Sequence, residues 1–290
     1  MFVAETAFPA TADALLEPMT NTPPPFPTHP TPDPAILANR ELIRPAGYRR
    51  AAAGLVAYSA AWYDELEQKR YQRHGVWLPG ALEFGRHPGE SLLLLGAGIG
   101  SDAIHYIHTG TPVTVGVTPH DYPDQLRENL TRHALTARVV EVSDPVLPFA
   151  DGTFDVVTWN ALYDPTSLNP VRVNELFRVL KAGGKVIGLF PAWYDAGFWQ
   201  DLLLPLQWVY WRRPVDPTAA PKTTARQLRK AFAGFSQHRV AKRHLRRSEL
   251  PHPWRVFPLV LLERIIGRVL VLKALKPLSA RTGVHTPLAA

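Results

Sequence analysis

Apolar positions along this 290-residue chain change their spacing in a regular order. Between Ile36 and Arg73 they recur every three or four residues, with Leu55, Tyr58, Trp62 and Leu66 on one stripe, which predicts helix. Trp77, Leu78 and Leu82 lead on to the run Leu92 to Leu95, which reads as a strand buried on both faces. Short apolar runs and helical patterns then take turns. Strands are predicted over 113–117, 137–142, 154–159 and 185–190, with helices over 125–133 and 171–180, and two later strands over 235–242 and 269–275. Such alternation predicts an α/β fold, a three-layer, doubly wound and mostly parallel sheet of seven strands preceded by helices.

The connections carry further signals. Asp151 and Gly152 form a turn signal before the fourth strand, and Lys181, Ala182, Gly183 and Gly184 read as the cationic, glycine-rich end of a helix. After the first strand come Gly96, Gly98 and Gly100, and then a helical pattern over 102–108. Glycines at that spacing allow a tight turn whose backbone amides approach a ligand, with a helix N-terminus aimed at it; the same glycines can also serve helix-on-sheet packing alone.

Composition divides the chain. Residues 1–34 hold nine prolines among small polar residues and read as a flexible tail; 35–90 form a helical cap, and 91–290 a single large domain with a helical insertion at about 246–267. There is no cysteine, which excludes disulfides and thiolate sites, and no Lys or Arg precedes Arg40, so the basic region of a secretory or transit signal is missing. The cytoplasm is the expected compartment, with peripheral contact to a membrane left open. The net charge of +7 is concentrated, since residues 217–248 contain nine cations and no acid. A solvated face is the usual meaning of such a run; anionic lipid, nucleic acid or an acidic substrate are the alternatives. Beside it, Trp254, Val256, Phe257, Leu259, Val260, Leu262, Ile265 and Ile266 make an apolar helix that reads either as interfacial or as a cover for the sheet edge. Trp193, Tyr194, Phe198, Trp199, Trp208, Tyr210 and Trp211 crowd into nineteen residues after the fifth strand, as core or as the wall of an apolar pocket. His105 and His108 lie one turn apart and read as exposed, and no metal site is expected.

Taken in order, the glycine loop, Gly116-Val117 at the end of the second strand, LPFADGTFDVV (147–157) and ELFRVLKAGGKV (175–186) resemble the class I S-adenosylmethionine-dependent methyltransferases that act on small molecules. The resemblance is close from Tyr58 to Phe190. It implies a Rossmann-like fold and S-adenosylmethionine as cofactor. It places Gly96, Ala97, Gly98 and Gly100 against the cofactor, with Asp102 capping the following helix. It puts Thr118 and Pro119 at the ribose, Ser143 or Asp144 at the adenine edge, and Asn160 beside the transferring methyl. Two positions depart from the pattern. Leu94 stands where the family usually has an acidic residue, and Thr118 where a carboxylate takes the ribose hydroxyls; Asp121 is the candidate substitute. Methyl transfer asks mainly for positioning and exclusion of water, so Tyr163 or Asp164, as base or acceptor-orienting group, are the candidate catalytic residues. The implied activity is methyl transfer to a small, apolar or lipid-linked acceptor; the alternative is a catalytically silent methyltransferase-like scaffold that binds a ligand or a membrane surface. Nucleic acid is not the expected partner, because Trp159, Asn160, Ala161, Leu162 match a base-flipping motif only in part.

Overall fold

The first described helix opens on Asp33 and Pro34. The Asp33 carboxylate accepts from the Ala35 amide at 2.8 Å, and Pro34 opens helix α1 (Pro34–Glu41), where a missing N–H costs nothing. The computed structural model describes residues 32–43, 54–118, 121–142, 145–164, 168–203, 220–247, 250 and 252–278, all within the compact unit Pro32–Ala290. Helix α2 (Ala60–Gln68) is capped by Ser59 and runs straight into a π-helical turn, Lys69–His74; α3 (Leu78–Leu82) follows. The single helical stripe expected over 36–73 is thus broken. Leu55 lies in a bend and is partly exposed, and Tyr58, at a left-handed φ of 62°, packs on Trp62 from outside the helix, so the helical stripe begins only with α2.

The sheet follows in the order β1 (Leu92–Leu95), α4 (Ser101–His108), β2 (Val113–Val117), α5 (Pro123–Arg132), β3 (Arg138–Glu141), β4 (Phe154–Asn160), α6 (Pro170–Val179), β5 (Leu180–Pro191), α7 (Ala196–Leu203), α8 (Ala225–Ala231), β6 (Ser236–Arg243), α9 (Leu259–Ile266) and β7 (Val269–Leu275). A 3-10 turn, Ala161–Tyr163, closes β4, and another, His252–Val256, precedes α9. The seven strands lie in the order β3-β2-β1-β4-β5-β7-β6, parallel from β3 to β5, with β7 antiparallel to both its neighbours.

Strand alternation feeds two cores. Leu93 and Leu95 pack with Val157, Trp159 and Phe190 on one face of the sheet; Leu92 and Leu94 pack with Ile104, Tyr106, Val115 and Ile187 on the other. Lys181 to Gly184 do not end a helix. Helix α6 stops at Val179, Leu180 already pairs with Phe154, and Gly183, at φ 78°, sits in an irregular stretch that exchanges backbone bonds with Lys276. Pairing with β7 prevails there over the local helix-end signal.

Candidate functional site

Chain order reverses between β1 and β4, and a cleft of about 610 Å³, counted out to its open mouth, lies at their carboxyl ends. Its floor is the glycine loop. Gly96 has φ 69°, and a Cβ there would stand 2.3 Å from the carbonyl oxygen of Asn160, so only glycine lets the loop lie against the end of β4. Gly98 has φ 57°, and its absent side chain makes room for Glu41, whose Oε2 lies 2.8 Å from where a Cβ would be. Leu94 is fully buried in an apolar cluster, so the acidic side chain the family pattern puts there would have no polar partner. A carboxylate reaches the loop from the other side instead, from α1.

At the end of β2, the Thr118 amide and hydroxyl both donate to Asp121 Oδ2, at 2.8 and 2.9 Å, and the Asp121 amide donates back to the Thr118 carbonyl. This closed turn carries the Asp121 carboxylate to the strand end, and both residues line the cleft. Opposite them, Asn160 Oδ1 accepts from the Leu162 amide at 3.4 Å, capping the 3-10 turn that presents Tyr163. Asp164 Oδ2 accepts from Nε1 of the buried Trp159 at 3.2 Å. Tyr163 and Asp164 therefore lie in the same cleft as the glycine loop. Pro119, Ser143 and Asp144 lie outside the described residues.

The fourth side of the cleft is α1, through Leu37, Arg40 and Glu41. Arg40 Nη1 donates to the Tyr122 hydroxyl at 2.7 Å, and its guanidinium lies 5.2 Å from the Tyr163 ring centroid and 5.6 Å from that of Tyr122. Arg40 Nε is buried without a hydrogen-bond partner among the described residues. Glu41 is held above the usual carboxylate range by burial and by the neighbouring Asp102, against the opposing pull of Arg70. A signal for these residues did exist: Arg40 is the first cation of the chain, and a helix starting at Pro34 puts Leu37, Arg40 and Glu41 on one face. Arg172 of α6 also lines the cleft and is almost wholly buried.

Beneath the glycine loop lies a buried ionic knot. Arg70, in the π-helical turn, donates from Nε and Nη2 to the two oxygens of Asp102 at 3.2 and 2.7 Å, and the Tyr71 hydroxyl donates to Oδ1 at 2.6 Å. Arg70 Nη1 also donates to the Glu41 carbonyl. Burial works against the charge on Arg70, but Asp102 and Glu41 outweigh it and hold the guanidinium protonated; burial, reinforced by Asp102, keeps Tyr71 neutral. Asp102 is therefore not the cap of α4. Gly100 occupies that position without a side-chain bond, and Asp102 is not among the residues lining the cleft; its carboxylate fastens the N-terminal helices to α4.

Two other expectations change. The described aromatics after β5, Trp193, Tyr194, Phe198 and Trp199, do not line the cleft, whose rings come from Tyr122, Trp159 and Tyr163; Trp208, Tyr210 and Trp211 lie outside the described residues. His105 pairs with Glu67 at 3.1 Å and stacks on Phe84 rather than facing solvent alone.

Comparison with known proteins adds the following. Residues 93–188 match the model of the methyltransferase domain family. A solved structure from Bacillus halodurans C-125, described as a candidate methyltransferase, is similar at a TM-score of 0.50 and 17% identity, covering 70% of this chain and 100% of that one. A possible exported protein from Bordetella parapertussis is similar at a TM-score of 0.50 and 19% identity, covering 84% of this chain and 79% of its own. At these identities the two structures are alike in fold. Among curated proteins none matches.

Proposed function

We propose that this chain, whose residues 93–188 match the methyltransferase domain family, moves a methyl group from S-adenosylmethionine to a small acceptor with an apolar or lipid-linked body. The observation that carries the reading is the meeting, in one switch-point cleft, of the glycine loop, the Thr118–Asp121 turn and the Asn160–Asp164 segment.

The residues present fit the cofactor. The left-handed Gly96 and Gly98 bring the loop backbone to the floor of the cleft, Asp121 brings a charged acceptor for ribose hydroxyls to the end of β2, and Arg40, whose buried Nε has no hydrogen-bond partner among the described residues, offers a cation complementary to an amino-acid carboxylate. When bound, S-adenosylmethionine supplies an electrophilic methyl group. What remains for the protein is placement. Trp159 holds the Asp164 carboxylate by its indole N–H, and Asn160 caps the turn that carries Tyr163, so both candidate groups are braced in place. Asp164 would accept a proton or orient an acceptor; Tyr163, under the Arg40 cation, would stack against an apolar or unsaturated body.

Calorimetry with S-adenosylmethionine and with its demethylated product tests the cofactor half; no heat from either at high micromolar concentration would overturn the assignment. Incubation of the protein with methyl-labelled cofactor and cell extract, followed by solvent partition, tests the acceptor half. Label confined to the aqueous phase would exclude an apolar or lipid-linked acceptor.

A further inference from the structure

Helix α9 is buried on one side only. Ile266 is sealed, and Leu259 and Leu262 pack with Trp199 and Trp254 around Leu245, Leu250 and Ala196. On the opposite side Phe257, Val260, Leu261 and Ile265 are 55–59% exposed, and Val256 just before them is 82% exposed. Within α9, Val260, Leu261 and Ile265 share the outward side, with 261 and 265 one turn apart, and Val256 and Phe257 stand exposed just before the helix, so the apolar groups are neighbours rather than scattered.

Among the described residues, the exposed charges beside the stripe are cations. Glu263, the only acid of α9, turns inward, accepting from the His244 amide at 2.7 Å and pairing with Arg243 at 3.4 Å. Arg264 and Arg247 are exposed beside it, and Arg247 is bonded to the carbonyl of Arg255. Lys242 donates to the carbonyls of Tyr194 and Ile265, at 2.8 and 2.6 Å, and so fastens the half-exposed Trp193-Tyr194 pair to the C-terminal turn of α9.

From this surface we infer that α9 and the Trp193-Tyr194 turn dock on a bilayer rich in anionic lipid. The apolar stripe supplies burial at the acyl boundary, the aromatic pair suits the headgroup level, and the arginines meet lipid phosphates and carboxylates. At eight residues α9 lies on such a surface; among the described residues no helix is long and apolar enough to cross it. A second copy of the chain is the poorer occupant, because a two-fold contact through this stripe would bring Arg264 and Arg247 against an equally cationic patch with no exposed acid of α9 among the described residues to face them. The inference does not depend on the nature of the methyl acceptor.

Flotation of the full chain with vesicles tests it, using phosphatidylcholine alone or with phosphatidylserine, at low and high salt. Retention is expected on the anionic vesicles and little on the zwitterionic ones, with retention falling as salt rises. Leu261→Gln with Ile265→Gln, both exposed and so expected to keep the melting temperature, should lower the partition coefficient by at least about tenfold. Arg264→Glu should lower it about tenfold on anionic vesicles, which keeps the test open if the apolar variant fails to fold. Absence of vesicle binding, or binding indifferent to both variants, would overturn the inference. So would a concentration-dependent dimer in sedimentation that the Leu261 and Ile265 changes abolish, since that would give the stripe to a second copy.

Discussion

The two halves of the cleft are built by different means. The sheet half, Gly96 to Gly98, Thr118 to Asp121 and Asn160 to Asp164, is made of short turns whose shape comes from left-handed glycines, a side-chain-closed turn and a cap. The helical half, Arg40 and Glu41 with Arg70 and Tyr71, is made of charges brought together across 29 to 82 residues. Shape is therefore local and charge is imported. That division accounts for Leu94: the strand interior keeps a hydrocarbon, and the carboxylate near the loop comes from α1 across Gly98.

Breaking the helical half should cost most. Arg70→Ala strands Asp102 and the Glu41 carbonyl without their cation in a buried site, and such losses run to about 3–5 kcal/mol. Urea unfolding measures it. Arg127→Ala, which removes an exposed pair with Asp124 at 3.3 Å, serves as the comparison and should shift stability by less than about 0.5 kcal/mol. Equal midpoints for the two variants would show that the knot does not hold the helices on. Breaking the sheet half should cost less stability but more function. Gly96→Ala forces an L residue to φ 69° and a methyl group against the Asn160 carbonyl, which should cost about 2–3 kcal/mol and abolish cofactor binding in calorimetry.

Acid sharpens the contrast, because the helical half has a second anchor that titrates. Glu83, at the end of α3, accepts from Lys185 of β5 and Lys273 of β7 at 2.8 and 2.7 Å. Burial alone would raise its pKa, but the two lysines outweigh it and bring it down to about 2. A depressed carboxylate stabilises the fold fully above its unfolded value near 4.5, and that stability is lost as pH falls toward 2. Allowing for the partly exposed lysines, about 2 kcal/mol should disappear over that window. Glu83→Gln should therefore be less stable than the parent at pH 7 and indistinguishable from it near pH 2, by thermal melts across that range. Glu41 carries the opposite sign: its raised pKa makes its contribution largest below pH 4.5 and smaller as pH rises through its folded value.

The same division governs what could be read from the sequence. The strand limits at 113–117 and 269–275 coincide with the structure, and so does the expected number of seven strands, because strand burial and helix periodicity are properties of neighbouring residues. Asp121 was readable as well, three positions from Thr118. What escaped was long-range. Nothing near Asp102 announces Arg70, and an acidic residue in a helix's first turn has the look of a cap until a cation thirty residues away claims it. The aromatic run after β5 shows the same limit, since local spacing cannot say whether Trp193 faces the cleft or the solvent.

Asp121 is the place where local shape and imported charge meet, and it gives the smallest and most selective test. Its Oδ2 closes the turn on Thr118 inside the cleft, and under the proposed function the same carboxylate would accept from ribose hydroxyls. Asp121→Asn keeps an oxygen that can accept from the Thr118 amide and hydroxyl, so the turn should survive and the melting temperature should hardly change. The charge is lost, which weakens hydrogen bonds from a ligand's hydroxyls by about 1.5 kcal/mol, roughly tenfold in the dissociation constant for S-adenosylmethionine and its demethylated product alike. Equal weakening of the two ligands is the telling outcome, because they share the ribose and differ at sulfur. If only the sulfonium form is weakened, Asp121 acts as a counter-charge to the cofactor's positive centre and not as a ribose acceptor. If neither is weakened, the carboxylate serves the turn alone.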